Sequence, residues 1–149
     1  MATTITPAPL TVTITEDVSL GNINRGQTQT LTIADVTEVD NRIVNIGTTE
    51  TDIIGFAAAN GQGSFVRTDV KYIRISNLDG TNYATIGVSK TGADTFFVKL
   101  EAGKSFIMGN DDIEVDASGA GSGTFVEADS ISAKANGAAV DLNIFVALT

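Results

Sequence analysis

Few of the 149 residues are of a type that does covalent chemistry. The chain has no His and no Cys. Ser-His-Asp and Cys-His sites are therefore excluded, because each needs an imidazole to move a proton near neutral pH. A zinc centre would need all-carboxylate ligation. What is left is 18 Asp and Glu. Two facing carboxylates suffice for glycoside hydrolysis. Such clefts use aromatic rings that stack on sugar, and this chain has no Trp, with most of its 7 Phe in strand positions. Gly119-Ala120-Gly121-Ser122-Gly123 has the composition of a phosphate-cradling loop. That chemistry requires a buried parallel strand before the loop and a helix after it. Here Asp116 precedes and Phe125-Val126 follows, so the segment reads as a strand connection, as does Gly61-Gln62-Gly63. From Ser105 to Ala133 there is no Lys or Arg, while Asp111, Asp112, Glu114, Asp116, Glu127 and Asp129 all fall near or within that stretch. Asp112, Glu114 and Asp116 share one strand face. Their oxygens suit Ca²⁺, yet the EF-hand spacing is missing, so the stretch reads first as a solvated face, with any calcium effect modest. No catalytic, cofactor-binding or metal-ligating residue is assigned.

The elements that would position any site are strands. Ile, Val and Thr dominate the chain, and β-branched residues fit pleated surfaces better than helices. Apolar and polar residues alternate with period two through Leu10–Thr15, Val70–Asn77, Tyr83–Ser89 and Val140–Leu148, the pattern of strands buried on one face. Further strands are expected at Gln29–Ala34, Glu38–Ile46, Ile53–Phe56, Thr95–Leu100, Ser105–Met108, Ile113–Asp116 and Ser130–Asn136. The first two expected strands form an irregular hairpin whose long loop contains Gly21 to Gly26. Asp79-Gly80 suits a tight connection, and Asn136-Gly137 suits a closing hairpin. About ten strands with short spacings and no βα alternation indicate an all-β fold, a jelly-roll-like antiparallel β-sandwich. Residues 10–149 form that single domain, and Met1 to Pro9 form an extended N-terminal arm, stiffened by Pro7 and Pro9. The expected core includes Ile73, Ile75, Ile86, Val88, Val98, Leu100, Leu142, Ile144 and Val146.

The net charge is −9, which disfavours nucleic acid. No stretch has the length of an apolar membrane-spanning helix, and the first residues lack the pattern of a secretory signal. Tyr72, Phe97 and Phe145 each stand on the face opposite their strand's aliphatic row. They are either buried on both sides or available to a partner, since aromatic residues are enriched at interfaces. Together with Pro7 and Pro9 they are the candidate interface residues.

Val70-Lys71-Tyr72-Ile73-Arg74-Ile75-Ser76-Asn77-Leu78-Asp79 followed by Tyr83-Ala84-Thr85-Ile86-Gly87-Val88, the run Phe97 to Met108, and the ending Ala139 to Ala147 resemble small virion proteins of tailed bacteriophages. That resemblance implies a capsid decoration (cement) protein, made in the host cytoplasm and carried on the outer capsid surface. Its partner would be the major capsid protein, and it would act as a homo-oligomer, a trimer fitting local three-fold positions. It implies no cofactor and no enzyme activity. The alternative is a carbohydrate- or receptor-binding sandwich of a head fibre or tail component. None of the resembling segments is a site, so no functional residue is carried over.

Overall fold

The computed structural model describes residues 4–59, 61, 63–93, 95–110, 113–116 and 125–149. Its elements are β1 (Ala8–Thr15), β2 (Ser19–Leu20), β3 (Ile23–Asn24), β4 (Thr28–Val36), β5 (Glu38–Ile46), β6 (Thr51–Ala57), β7 (Ser64–Val66), a 3-10 turn (Arg67–Asp69), β8 (Val70–Asn77), β9 (Ala84–Ser89), β10 (Thr95–Leu100), β11 (Ser105–Met108), β12 (Glu114–Asp116), β13 (Phe125–Glu127), β14 (Ser130–Ala135) and β15 (Val140–Leu148). One sheet has the order β11-β8-β15-β5, and the other β10-β9-β14-β6-β7. Numbering the eight long sandwich strands β5, β6, β8, β9, β10, β11, β14 and β15 in turn gives a first sheet ordered 1-8-3-6 and a second ordered 2-7-4-5. This is the strand order of a jelly roll. The fold is an all-β sandwich, as the alternation indicates.

The two inner faces meet in one aliphatic core. Ile73, Ile75, Leu142, Ile144 and Val146 come from the four-stranded sheet, and Ile54, Ile86, Val88 and Ile131 from the other. Nearly every expected core residue is buried there. Val98 is a correction: it is half-buried and Phe96 beside it is exposed, because β10 is an edge strand with a neighbour on one side only.

Two expected hairpins are also corrected. β14 and β15 lie in different sheets, so Asn136-Gly137 sits in an arch between sheets and not in a hairpin turn. The same holds for Asp79-Gly80 between β8 and β9, and neither Gly80 nor Gly137 has positive φ. The β8–β9 arch is fixed instead by the Asp79 carboxylate, whose Oδ1 accepts from the backbone N–H of Thr81 at 2.7 Å and of Asn82 at 2.6 Å. Those two bonds hold the Asp79 carboxyl below its ordinary value.

The sandwich is clasped at both ends. At one end Asn77 is buried, 1 % exposed. Its Nδ2 donates to the carbonyls of Asn82 (2.9 Å) and Leu100 (3.2 Å), and its Oδ1 accepts from Asp79 N–H (3.0 Å). Asn77 thereby ties β8 to the end of β10 in the opposite sheet. At the other end Asp129 receives Arg67 at 3.1 Å, Lys90 at 2.9 Å and Thr91 N–H at 3.0 Å. The acidic stretch thus meets bases from distant segments, and Arg67 also takes Glu127 at 2.6 Å. That pairing offsets the placement of Glu127 directly opposite Glu114 across β12 and β13.

The Lys90 and Thr91 contacts hold the Asp129 carboxyl below its ordinary 3.8. A depressed carboxylate adds stability that is complete above the unfolded value and is lost as pH falls through the folded one. Asp129→Asn should therefore lower stability at pH 7 by about 1–2 kcal/mol, and the gap from the parent should close as pH drops below 3.8. Urea titrations across that range check this; a gap that widens on acidification would contradict it.

Candidate interaction surface

Residues 8–36 stand outside the two sheets as one hairpin. β1 and β4 pair as Leu10↔Ile33, Val12↔Leu31 and Ile14↔Gln29, and the same register continues through Ser19↔Asn24 and Leu20↔Ile23. Bonds from Glu16 N–H to Gln27 O and from Arg25 N–H to Val18 O bridge the strand gaps. The expected long loop is in fact a ribbon closed by a two-residue turn. Gly21 and Asn22 both have positive φ, +58° and +61°, the conformation whose twist matches a hairpin. Gly26 is required for close approach: a Cβ there would lie 1.9 Å from the Glu16 carbonyl oxygen.

The ribbon is amphipathic because its period is two. Thr11, Thr13 and Thr15 face Thr32, Thr30 and Thr28 on one side, while Leu10, Val12, Ile14, Leu31 and Ile33 share the other. The root of the apolar side lies on the outer face of the four-stranded sheet. There Val36, Leu10, Val12 and Ile33 pack with Tyr72, Ala147 and Phe145. Farther along, Leu31 rests on Gly109, where a Cβ would come within 2.8 Å of its Cδ2. Beyond that level the apolar side is uncovered: Ile14, Val18, Leu20 and Ile23 are exposed.

This placement sorts the candidate interface residues. Tyr72 is 4 % exposed, so its candidacy as a free contact is corrected: the chain's own ribbon covers it. Burial pushes its phenol pKa up, against an opposing pull from Arg74. Phe145 is half-buried, edge-on to Tyr72 at 6.0 Å, with the Arg74 guanidinium 5.9 Å from its ring. Pro9 belongs to β1, at the register shift between Ala8 and Leu10, where a residue without an N–H costs no ladder bond. The strand begins at Ala8, which shortens the expected arm. Pro7 is exposed just before it. The sandwich proper begins at Glu38, with Thr37 alone between it and the ribbon.

Phe97 lies on the opposite side of the molecule, 56 % exposed on the outer face of the five-stranded sheet. It pairs across from Gly87, and its Cε1 stands 2.9 Å from where a Gly87 Cβ would be. The ring therefore shields backbone that a side chain would otherwise cover. Beside it is a cleft of about 450 Å³ lined by Glu50, Tyr83, Thr85, Ser132 and Lys134. Glu50 accepts from Ser132 Oγ at 2.7 Å, and Lys99 Nζ covers the Tyr83 ring at 4.3 Å.

Another cleft, of about 600 Å³, brings Glu38 and Asp40 together. Asp40 is ion-paired with Arg42, which also donates to Ile53 O at 2.7 Å. Among the described residues no cluster of three acids has the geometry to hold a metal. Asp111, Asp112 and the glycines 119, 121 and 123 lie outside the described residues, as does Gln62. Among the described residues no helix is long and apolar enough to cross a membrane.

No protein-family model matches this chain, and no curated protein sequence does. Among solved structures it is similar to a chain from a work on Bacillus endospore appendages, described as forming a novel family of disulfide-linked pili. The identity is 15 %, the match covers 75 % of this chain and 87 % of that one, and the TM-score is 0.42. A likeness of that degree carries no functional argument.

Proposed function

We propose that this chain is a structural protein of a phage virion. In this reading it is a capsid decoration (cement) protein that binds the outer lattice of the major capsid protein as a homo-oligomer, with a trimer favoured. The observation that supports it most is the ribbon of residues 8–36. A jelly roll carries an amphipathic two-stranded lever whose far half has exposed apolar residues, with no described residue packed on them. An isolated hairpin gains little stability by itself in water, so such a lever is useful when it lies on a neighbour. A cement protein needs such a shell, such a reach, and no reaction.

A carbohydrate- or receptor-binding role in a head fibre or tail component is the second reading. The cleft beside Phe97 favours it, since an exposed ring next to a carboxylate, hydroxyls and a lysine suits a sugar.

The test is rebinding. Full-length protein is added to heads lacking it, and the heads are sedimented at low and at high salt. The strands β1 and β4 carry one charged residue between them, Asp35. Apolar docking through them predicts that retention survives high salt, where screening removes charge pairing between surfaces. No retention at either salt overturns the decoration reading. Retention on immobilised neutral glycan in place of heads supports the second.

A further inference from the structure

We propose that the free apolar side of the ribbon is covered by a second copy of this chain, head to tail, with the ribbon tip of one copy on the outer face of β5 of the next. The ribbon's course sets the direction. Its root sits over β15 and β8 at Ala147 and Tyr72. Its middle passes over the β11 side of the sheet, where Val12, Ile14 and Leu31 line one groove with Ile107 and Gly109. Since β11 is the edge of that sheet, the tip leaves the molecule there, carrying Val18, Leu20 and Ile23 uncovered.

A matching seat lies at the opposite edge. On β5 the outward row is Val39, Asn41, Ile43 and Asn45, in register with outward residues of β15. Val39 and Ile43 are 51 % and 63 % exposed. The seat adjoins the ribbon's own root, because Val39 lines a small groove together with Pro9, Leu10 and Val36. The outer face of this sheet thus already receives one apolar ribbon segment, and its next strand offers the same chemistry with its Val39 and Ile43 exposed. A chain's own tip cannot reach that seat. Thr37 alone joins β4 to β5, and the ribbon runs from there toward the other edge.

Electrostatics favours this pairing over other contacts between copies. Each copy carries −9, so two copies repel wherever acids face each other. The outward row of β5 has no charge, and neither does the ribbon tip, residues 18–24, which Glu16, Asp17 and Arg25 flank. The ribbon's edges also lack the lysines that commonly guard an open strand. One opposite pair is available, Arg25 near the tip and Asp141 on the β15 outward row beside Asn45, whose Nδ2 it accepts at 2.7 Å. A contact between two different patches is heterologous, and it closes into a ring or runs on as a filament according to its angle. The inference holds whether or not a capsid is the final partner.

The experiment is sedimentation equilibrium on the full chain. The parent should have a mass that is a multiple of 15.4 kDa. The double variant Leu20→Asp/Ile23→Asp and the single variant Ile43→Asp should each fall to 15.4 kDa with unchanged circular dichroism, since all three positions are exposed. An equimolar mixture of the two monomeric variants should form a pair of twice that mass, because each retains the half the other lacks. A monomeric parent overturns the proposal. So does an Ile43→Asp variant that stays oligomeric while the tip variant does not, which would mean ribbon on ribbon. A mixture that forms no pair overturns it equally.

Discussion

Ile144→Ala is expected to destabilise the protein by about 2–5 kcal/mol, lowering its melting temperature by roughly 10 °C. Ile144 is fully buried on β15, a central strand of the four-stranded sheet, between Arg42 on β5 and Ile75 on β8. Its side chain faces the opposing sheet, in the same core as the fully buried Ile131 and Ile86. The lost transfer energy and the cavity therefore add. Ile43 is the internal control. It lies one strand away with its side chain on the outer face, 63 % exposed. Ile43→Ala should change stability by no more than about 0.5 kcal/mol. Equal losses at the two positions would mean that the faces are wrongly assigned.

The second large effect is expected at Asn77. Asn77→Ala should cost about 3 kcal/mol, measured by urea unfolding. The Asn77 amide satisfies the carbonyls of Asn82 and Leu100 and the N–H of Asp79. Its backbone N–H and carbonyl also bond Lys104 and Gly103 in the β10–β11 connection. Removing the side chain takes these bonds from the part-buried Asn82 carbonyl and Asp79 N–H and from the buried contact to the Leu100 carbonyl. Asn77→Asp should be no better, because it turns a donor that faces two carbonyls into an acceptor. A loss within about 0.5 kcal/mol of the parent for Asn77→Ala would show that water replaces the amide without cost.

Asn77 also shows what was legible in the sequence. Period-two alternation placed Ile73 and Ile75 on the core face, and Asn77 continues the same parity. A polar residue at a core position was a signal for a clasp, though nothing local said what it would bond. Alternation also fails to say which sheet a strand joins. Asp79-Gly80 and Asn136-Gly137 have hairpin chemistry, but an arch between two sheets reverses the chain as well. The parallel pairing of β6 with the three-residue β7 left no pattern to read.

The candidate surface was half legible. The apolar row of β1 and β4 was visible, but a row specifies a face and not the surface that it meets. Tyr72 therefore looked available when the ribbon's root lies over it. The acidic stretch looked unopposed because Arg67 is some sixty positions from its partners in the chain, a distance only the fold closes. The uncovered far half of the ribbon and the seat at Val39 and Ile43 emerge from topology alone. They depend on which sheet edge the ribbon leaves.

The most direct measurement is the copy number of this chain on intact particles purified through a density gradient, counted against the major capsid protein by quantitative mass spectrometry. A decoration protein of the outer lattice is expected at a fixed, high ratio, in whole-number proportion to the lattice positions and unchanged by a high-salt wash. A trace, variable or absent signal on particles that are otherwise complete would contradict the proposed role.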